Sequence, residues 1–440
     1  MENFNALLER AGALVWGAPL IILLFGTHIF LTFRLGFIQR YLPKAIRLSF
    51  SRAKEGEGEI SQFGALMTAL AATIGTGNIV GVATAVAAGG PGAVLWMWLT
   101  GVFGIATKYA EALLSVKYRV ISGTGEISGG PMYVLERGLN ARWLGLVFAF
   151  FTAVAAFGIG NMVQANSISQ MLHESFGLSV WLTGVAMAAL TAFVILGGIK
   201  SIARFCERLV PLMAAVYVLG CAVILLLNFD KLPGAISLIL TSAFSGQAAV
   251  GGFLGAGAKE AMRYGIARGL FSNESGLGSA PIVAAAAQTS NPVRQALVSS
   301  TGTFWDTVVV CLLTGLVVVS AGDWQSGLKG AALTKSAFSH VPYIGPAVLS
   351  LGLLTFVFST IIGWEYYGEK AAEYLLGRRA VKPYRWLWIG AVLLGSVAAL
   401  PAVWNFADIF NGLMAVPNLV SLLLLAPVAA AETARHIDEP

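Results

Sequence analysis

Residues 72–81 read ATIGTGNIVG and lie inside a long apolar run. Three glycines, Gly75, Gly77 and Gly81, fall within this stretch. Because glycine in a helix interior costs about 1 kcal/mol relative to alanine, the stretch predicts a helix that is interrupted at its centre. In hydrocarbon, such a break is tolerated only where protein, water or a ligand satisfies the freed N–H and C=O groups.

The composition is that of a membrane protein. The chain has 440 residues, of which 57% are hydrophobic and 11% charged, and its mean hydropathy is +0.77. Soluble domains carry about 25% charged residues, and a membrane-spanning helix needs roughly 20 mainly apolar residues. We predict one all-α transmembrane domain, residues 1–440, with about eleven spans. The spans are 13–33, 63–88, 91–115, 144–170, 178–198, 209–228, 256–288 (interrupted), 296–320, 346–366, 386–401 and 404–430.

The positive charges follow a membrane pattern rather than that of a nucleic-acid-binding protein, although the net charge is +6. Lys and Arg cluster in 34–54, 200–208 and 370–385, on every second loop, as cytoplasmic loops do. We therefore expect a multi-pass protein of the cell membrane with its N-terminus outside and its C-terminus cytoplasmic. Three residues depart from the pattern, which indicates either an amphipathic segment or a misplaced seventh span: Lys259, Arg263 and Arg268.

The sequence contains no recognisable catalytic or nucleotide-binding motif. The four histidines form no HExxH pair, and GGIKS at 197–201 lacks the glycine spacing of a phosphate-binding loop. No nucleophile elbow occurs. The chain is predicted not to be an enzyme and to need no cofactor. Cys206, Cys221 and Cys311 have no metal-site or redox spacing, so we expect small buried side chains.

The first break has two interpretations. Gly77 and Gly81 have the GxxxG spacing of a helix–helix contact. Against packing alone stands Asn78, because polar groups inside a membrane usually face a cavity or the bundle interior. We expect the N–H groups of Gly75 to Gly77 to meet a carboxylate beside Asn78, and Gly77 to tolerate little substitution, because a Cβ would restore the helix or crowd the ligand.

A second break is predicted at 270–281, LFSNESGLGSAP, for which the alternative is an ordinary loop. The first break opens the five spans of 61–229 and the second opens those of 246–430. An odd number of spans inverts the second repeat relative to the first. Two interrupted helices at matching positions are the best sequence indication of a secondary transporter's binding site.

These two stretches carry a resemblance to a known family. GTGNIVGVATAVAAGGPGAVLWMWLTGVFG (75–104) resembles the signature of the alanine/glycine:cation symporter family, and GLFSNESGLGSAP (269–281) resembles its second characteristic stretch. The family usually has Phe where this chain has Leu95, an apolar exchange. The resemblance extends from about Phe63 to the last span.

The resemblance implies the fold of the amino acid–polyamine–cation superfamily: five-plus-five inverted repeats with broken first and sixth core helices, here with one extra N-terminal helix at 13–33. It implies that the first break binds a substrate carboxylate and that the second binds an amino group. The residues concerned at the first break are Gly75, Thr76, Gly77 and Asn78, and at the second Phe271, Ser272, Asn273 and Gly276.

A sodium site is implied between the first and eighth core helices. The matching ligands are the carbonyls of Ala71 and Ile74 and the hydroxyls of Ser359 and Thr360. A hard cation prefers oxygen ligands, so the chemistry agrees. Without the resemblance, a Ser-Thr pair in an apolar helix is more often bonded to its own backbone.

Further polar residues lie in the spans. Gln164 is a candidate substrate contact, with helix–helix bonding as the alternative, and it shares a helix face with Asn161. Trp364 is expected to close the pocket or to be an interfacial aromatic residue. The acids divide into three groups: Glu111 and Glu365, expected to pair with basic loops; Asp306 and Asp408, candidates for gates or ion paths; and Glu274, a candidate for the ammonium group or a helix cap.

The sequence thus predicts a sodium-coupled importer of small neutral amino acids, most simply alanine and glycine, that works by alternating access in a lipid bilayer. Within transporters, the alternatives are proton coupling or a larger substrate such as glutamine. A channel is the alternative of a different class, but the chain has no selectivity-filter sequence or ring of charges.

Overall fold

Helices account for nearly all of the structure, because a helix pairs its backbone groups within one segment and so suits hydrocarbon. The computed structural model describes residues 2–51, 56–121, 126–244, 257–398 and 401–439. Its first half contains α1 (Glu2–Val15), α2 (Ala18–Arg34), α3 (Leu42–Ser49), α4 (Gln62–Thr73), α5 (Val82–Gly89), α6 (Ala93–Lys117), β1 (Val120–Ile121), β2 (Ile127–Ser128), α7 (Pro131–Gly138), α8 (Arg142–Ala155), α9 (Val163–Phe176), α10 (Val180–Ile195), α11 (Gly198–Leu227) and α12 (Leu232–Ser242).

The second half repeats the pattern of long helices joined by short ones. It contains α13 (Ala258–Asn273), α14 (Pro281–Ala284), α15 (Pro292–Thr303), α16 (Leu312–Ala321), α17 (Gly330–Ser339), α18 (Ile344–Leu376), α19 (Val381–Val397), α20 (Pro401–Leu424) and α21 (Ala426–His436). Short 3₁₀ turns occupy Ile38–Tyr41, Phe229–Lys231, Asp323–Gln325 and Arg378–Ala380. Three π-helical segments complete the elements: Gly77–Gly81, Ala156–Met162 and Phe304–Cys311.

The all-α membrane architecture is confirmed. Within the described residues, six helices are long and apolar enough to cross a membrane: Ala6–Arg34, Arg142–Glu174, Gly198–Leu227, Pro292–Ala321, Ile344–Leu376 and Phe406–Leu424. Gln62–Thr73 and Gly77–Gly89 form a seventh span, bent by 54° at the predicted first break. The other predicted spans correspond to α6, α10, α13 with α14, and α19.

After α2, the chain forms two sets of five spans. The first set runs from α4 to α11 and the second from α13 to α20, and each set begins with a broken helix. Helix α2 is the extra N-terminal helix. The predicted first residue of the second repeat, 246, lies outside the described residues, and the repeat boundaries remain predictions. The three basic residues that depart from the charge pattern lie on α13, so they belong to a membrane-entering helix.

One end of the molecule, which we call the basic side, gathers residues 35–51, 56–61, 118–121, 126–141 and 285–291 together with α21. Lys44 Nζ donates to the carbonyl of Ile437 at 2.8 Å. Lys117 Nζ donates to Glu432 Oε1 at 2.6 Å, and this hydrogen bond lowers the pKa of the Glu432 carboxyl. These contacts place loops that are distant in sequence on the same side of the bundle.

On the basic side, residues 57–60 and 285–289 are joined by hydrogen bonds, and we call this connection the strap. It links the beginning of the first broken helix to the end of the second. Ile60, just before α4, pairs with Ala287, just after α14, in a parallel β-bridge. The Arg119 guanidinium sits between the two segments and donates to four carbonyls at 2.8–2.9 Å: those of Glu57, Ala285, Ala287 and Thr289. The strap satisfies backbone groups that neither helix can pair.

Candidate functional site

A small cavity lies between the two breaks, near the middle of the bundle. It is lined by Ala72, Thr73, Gly75, Thr76, Gly77, Ile159, Gln164, Phe271, Glu274, Thr360, Trp364 and Asn411. We call it the central cavity. Its volume is about 20 Å³, and one water needs about 10–15 Å³ of such space. The cavity is therefore too small for an organic ligand, and the residues that line it must move apart before one can bind.

The first break is short and closes on itself. Helix α4 ends at Thr73, and Ile74 adopts an extended conformation with φ −75° and ψ 97°. The Gly75 N–H donates to Asn78 Oδ1 at 2.9 Å. The chain then resumes as the π-helical segment Gly77–Gly81. The Asn78 N–H donates to the Gly75 carbonyl at 3.3 Å, whereas the N–H groups of Thr76 and Gly77 have no hydrogen-bond acceptor within the described residues. That end of the helix faces the central cavity through Thr76 and Gly77.

Asn78 is placed differently from the sequence expectation. Its side chain is fully buried and is not part of the cavity lining. The carboxamide is used within the protein, because its Nδ2 also donates to Asp306 Oδ1 at 2.7 Å. Asp306 Oδ2 in turn accepts from Ser272 Oγ at 3.0 Å and from Thr307 Oγ1 at 2.7 Å. One buried carboxylate therefore links the first broken helix to the second.

The second break is longer. Helix α13 ends at Asn273, and Glu274 takes a left-handed conformation with φ 54°. Gly276 and Gly278 both have φ +89°, which glycine adopts without the strain that a Cβ would bring. The helix resumes at Pro281, as the sequence predicts from its glycines and proline.

Glu274 faces the central cavity with its carboxylate held at both oxygens. Trp364 Nε1 donates to Oε1 at 3.1 Å, and Ser279 Oγ donates to Oε2. Glu274 and Trp364 are both buried. The pair thus places one carboxyl group and one indole on the cavity wall, and the sequence leaves the role of Glu274 open.

Glu111 is used differently from the prediction that it pairs with a basic loop. From α6, its Oε1 accepts from the N–H groups of Gly276 at 3.0 Å and Gly278 at 3.1 Å, and from Asn418 Nδ2 at 2.7 Å. A carboxylate is a strong acceptor for such N–H groups. Lys108, one turn earlier, is also buried, and within the described residues its ammonium has no hydrogen-bond acceptor.

The predicted sodium ligands come together at the end of α4. Ser359 Oγ lies 3.2 Å from the Ala71 carbonyl oxygen, and Thr360 Oγ1 lies 3.4 Å from that of Ile74. Both hydroxyls also donate to the Phe356 carbonyl, at 2.8 and 3.0 Å. Since each hydroxyl has a single proton, donation to Phe356 leaves its lone pairs facing the α4 carbonyls. Back-bonding and cation binding are thus compatible here.

Two carboxamides on the cavity wall carry free acceptors. Gln164 Nε2 donates to the Ile159 carbonyl at 2.8 Å, while its Oε1 is buried and has no donor within the described residues. Asn411 of α20 likewise has a buried, unpartnered Oδ1 in that part of the chain. Asn161, predicted to share a face with Gln164, points elsewhere and donates to the Trp388 carbonyl. Each free acceptor suits a donor of a ligand.

The structure brings seven predicted site residues to the cavity wall, and these are Gly75, Thr76, Gly77, Gln164, Phe271, Thr360 and Trp364. The remaining predicted residues lie behind that wall: Ala71, Ile74, Asn78, Ser272, Asn273, Gly276 and Ser359. Five lining residues were not predicted as site residues: Ala72, Thr73, Ile159, Glu274 and Asn411. Glu274 could have been predicted as a site residue, because it is an acid inside a glycine-rich break. No local sequence feature distinguishes Asn411.

Glu365 follows Trp364 and points towards the basic side. Its Oε1 lies 4.0 Å from Arg385 Nε, in line with the expected pairing, and Arg385 also donates to both oxygens of Glu369. Cys206, Cys221 and Cys311 are free and buried, as expected of small apolar side chains.

Comparison with known proteins agrees with this geometry. Residues 1–439 match the model of the Sodium:alanine symporter family. The chain is 51% identical to the sodium/alanine symporter AgcS of Methanococcus maripaludis, over 98% of this chain and 97% of that protein. It is 38% identical to the probable sodium/glutamine symporter GlnT of Bacillus subtilis, over 95% of this chain and 87% of that one.

The fold is shared with transporters of known structure. The crystal structure of MhsT in complex with L-phenylalanine superposes with a TM-score of 0.54 at 15% identity, over 85% of this chain and 98% of that one. A mutant form of the manganese transporter of Eremococcus coleocola gives a TM-score of 0.54 at 13% identity, over 89% of this chain and 92% of that one. With two broken helices around a central cavity and a family match along its whole length, the chain belongs to the sodium:alanine symporter family.

Proposed function

We propose that this chain is a sodium-coupled symporter that imports small neutral amino acids, with alanine and glycine as its substrates. The observation that carries the proposal is the set of four oxygens from Ala71, Ile74, Ser359 and Thr360 beside the central cavity. A sodium ion there would tie α18 to the end of α4. Because Thr360 also lines the cavity, ion and substrate would stabilise the same arrangement of helices.

The lining of the central cavity suits the charged groups of a zwitterion. The N–H groups at Thr76 and Gly77 begin a helix, and a helix N-terminus favours a carboxylate. The Glu274 carboxylate is the lining group best suited to an ammonium group, and the free Gln164 Oε1 is a further acceptor. The greater identity to a sodium/alanine symporter, 51% against 38% to a probable sodium/glutamine symporter, supports alanine or glycine over glutamine.

Alternating access would then act on the central cavity between the two broken helices. We propose that the basic side faces the cytoplasm, since it gathers the Lys- and Arg-rich loops. The N-terminus then lies outside and the C-terminus inside. Inward movement of both solutes would be driven by the sodium gradient.

The decisive experiment is uptake of radiolabelled alanine into proteoliposomes under an imposed sodium gradient or an imposed proton gradient. We expect saturable uptake driven by sodium alone, counterflow with unlabelled alanine, inhibition by glycine and little inhibition by glutamine or tryptophan. Uptake driven only by protons would refute sodium coupling. Flux without counterflow would indicate a channel, and a preference for glutamine would refute alanine and glycine as the substrates.

The sodium site is tested by the double variant Ser359→Ala/Thr360→Ala. Removing two of four oxygen ligands should raise the sodium concentration for half-maximal uptake by roughly tenfold or more, about 1.4 kcal/mol or more in binding free energy. Thr355→Ala is the matched control, because Thr355 is back-bonded to Leu351 on the same helix. Unchanged sodium dependence in a well-folded double variant would place the ion elsewhere.

A further inference from the structure

One buried cation takes part in none of the hydrogen bonds described above. Lys108 lies on α6, and only 4% of its surface is exposed. Across the described ranges, its ammonium group finds no hydrogen-bond acceptor. Because an isolated charge is costly to bury, a buried ammonium group depends on nearby anions for its stability. The surroundings of Lys108 therefore indicate which acids it serves.

The face of α6 that carries Lys108 lies along the second break. A Cβ on Gly104 would lie 3.1 Å from Ser275 Oγ. Glu111 Oε1 accepts from the N–H group of Gly276 at 3.0 Å. Because Lys108 comes four residues after Gly104 and three before Glu111, it shares their helix face. Its position is thus beside the second break.

Three buried acids surround this one ammonium group. Glu111 lies on the same helix, Glu274 at the end of α13, and Asp306 in the π-helical segment after α15. Each of the three interacts electrostatically with Lys108. His28 of α2, which is also buried, is a further titratable group that interacts with it. The acids outnumber the ammonium group, so its charge has a large effect on theirs.

Glu274 is the acid among these three that lines the central cavity. Asp306 repels a negative charge on Glu274, whereas Lys108 attracts it. The buried hydroxyl of Tyr367, on α18, is another titratable group that interacts with Glu274. In a protein interior, a carboxyl group close to another carboxylate takes up a proton unless a cation offsets the repulsion. Lys108 supplies such a cation at the second break.

We propose that Lys108 is a positioning residue that keeps Glu274 ionised, so that the amino group of the substrate binds there without displacing a proton. The inference rests on the proposed function, because it takes Glu274 as the group that receives the ammonium group. A protonated Glu274 would have to release its proton to the solvent before it could pair with that charge. With Lys108 in place, the empty site already holds a carboxylate, and the binding of alanine leaves the number of bound protons unchanged.

The test is calorimetric binding of alanine to the purified full-length protein in sodium, at about pH 8, in two buffers of different ionisation enthalpy. The difference between the two measured heats gives the number of protons released per alanine. The wild-type protein should release almost none. In Lys108→Met, alanine has to displace a proton from Glu274, so the release should approach one proton per alanine. The affinity of this variant should fall by roughly tenfold or more, and further as the pH is lowered.

Two variants serve as controls. Lys108→Arg keeps the positive charge and should release few protons. Lys370→Met is the matched control, because it removes another buried ammonium group, one that lies outside the central cavity lining and is paired with Glu373 at 2.8 Å. It should bind alanine with the affinity and the proton count of the wild-type protein.

Equal proton release by Lys108→Met and by the wild-type protein would overturn this inference alone. So would a wild-type protein that already releases a whole proton per alanine, a measurement that does not depend on the folding of any variant. No binding of alanine to the wild-type protein would overturn both this inference and the proposed function.

Discussion

The two breaks are similar in sequence and are held in different ways. The first is closed by its own chain, since Asn78 caps the N–H of Gly75 three residues earlier. The second is closed from outside, by Glu111 and Asn418, which lie 165 and 142 residues from Gly276. The first break can therefore present free backbone groups and carbonyls to ligand and ion. The second depends on a buried carboxylate for its shape.

This difference separates residues that form the site from residues that maintain it. At the first break the polar side chain supports the backbone, and the backbone faces the cavity. At the second the roles are reversed, because Glu111 supports the backbone while the Glu274 side chain faces the cavity. Asp306 joins the two arrangements through Asn78 and Ser272.

The largest effect is expected from Glu111→Ala. Losing the acceptor leaves two buried N–H groups unpaired and removes one of the two hydrogen bonds of the Asn418 amide. Each hydrogen bond to a charged group is worth about 1.5–3 kcal/mol. We expect a loss of more than about 3 kcal/mol in stability and no measurable alanine binding. Thermal melting and binding on purified protein are the measurements. Glu111→Gln, which keeps an acceptor, should be intermediate.

Glu174→Ala, at an exposed position on α9, is the control for a lost acid and should behave as wild type. If Glu111→Ala melts and binds like the wild-type protein, the second break is held by its own chain and the contrast with the first break disappears.

A smaller effect is expected from Asn78→Ala at the first break. It removes the cap on Gly75 and one donor to Asp306, which should cost about 1–3 kcal/mol in stability. Because Asn78 lies behind the cavity wall, affinity should fall by the same factor for alanine and for alanine amide, a ligand without a carboxylate. Competition binding measures both. A loss confined to alanine would make Asn78 a carboxylate contact, as the sequence first suggests.

The smallest effects separate two neighbouring glycines. A Cβ on Gly75 would lie 2.7 Å from Thr360 Oγ1, whereas one on Gly77 would make an ordinary contact at 3.4 Å with Ser272 Cα. Gly75→Ala should therefore raise the half-maximal sodium concentration roughly tenfold, and Gly77→Ala less than about twofold. This reverses the sequence expectation that Gly77 is the intolerant position. Equal effects would mean that the crowding at Thr360 is unimportant.

Much of the fold is predictable from the sequence because its signals are local. Apolar runs of membrane length predict the spans, and glycine clusters inside two of them predict the breaks. The Ser359-Thr360 pair was assigned to the end of α4 through a family resemblance, and the structure brings the oxygens together. The direction of a buried polar side chain is different, because it depends on partners far along the chain.

Glu111 illustrates the limit. Its position near a basic loop predicts a salt bridge, but it lies where α6 crosses the second break, and backbone N–H groups compete successfully for its oxygen. Asn411 has no local signal, since only the packing of α20 brings it to the cavity. The side chain of Asn78 turns away from the cavity because a carboxylate 228 residues later offers it an acceptor.

The Arg119 strap has a mechanical consequence. It binds the segment before α4 to the segment after α14, and it belongs to the same stretch of chain as α6, which holds the second break through Glu111. The contacts of Arg119 and those of Glu111 hold the two ends of the segment that contains α14. Because of these two attachments, we expect α14 to move together with α6. A passage to the basic side would then open by a rigid-body rotation of α4, α6 and α14 together. In hydrogen-exchange measurements, the amides of Glu59, Ile60 and 285–289, which donate backbone hydrogen bonds, should stay protected in the presence and absence of sodium and alanine.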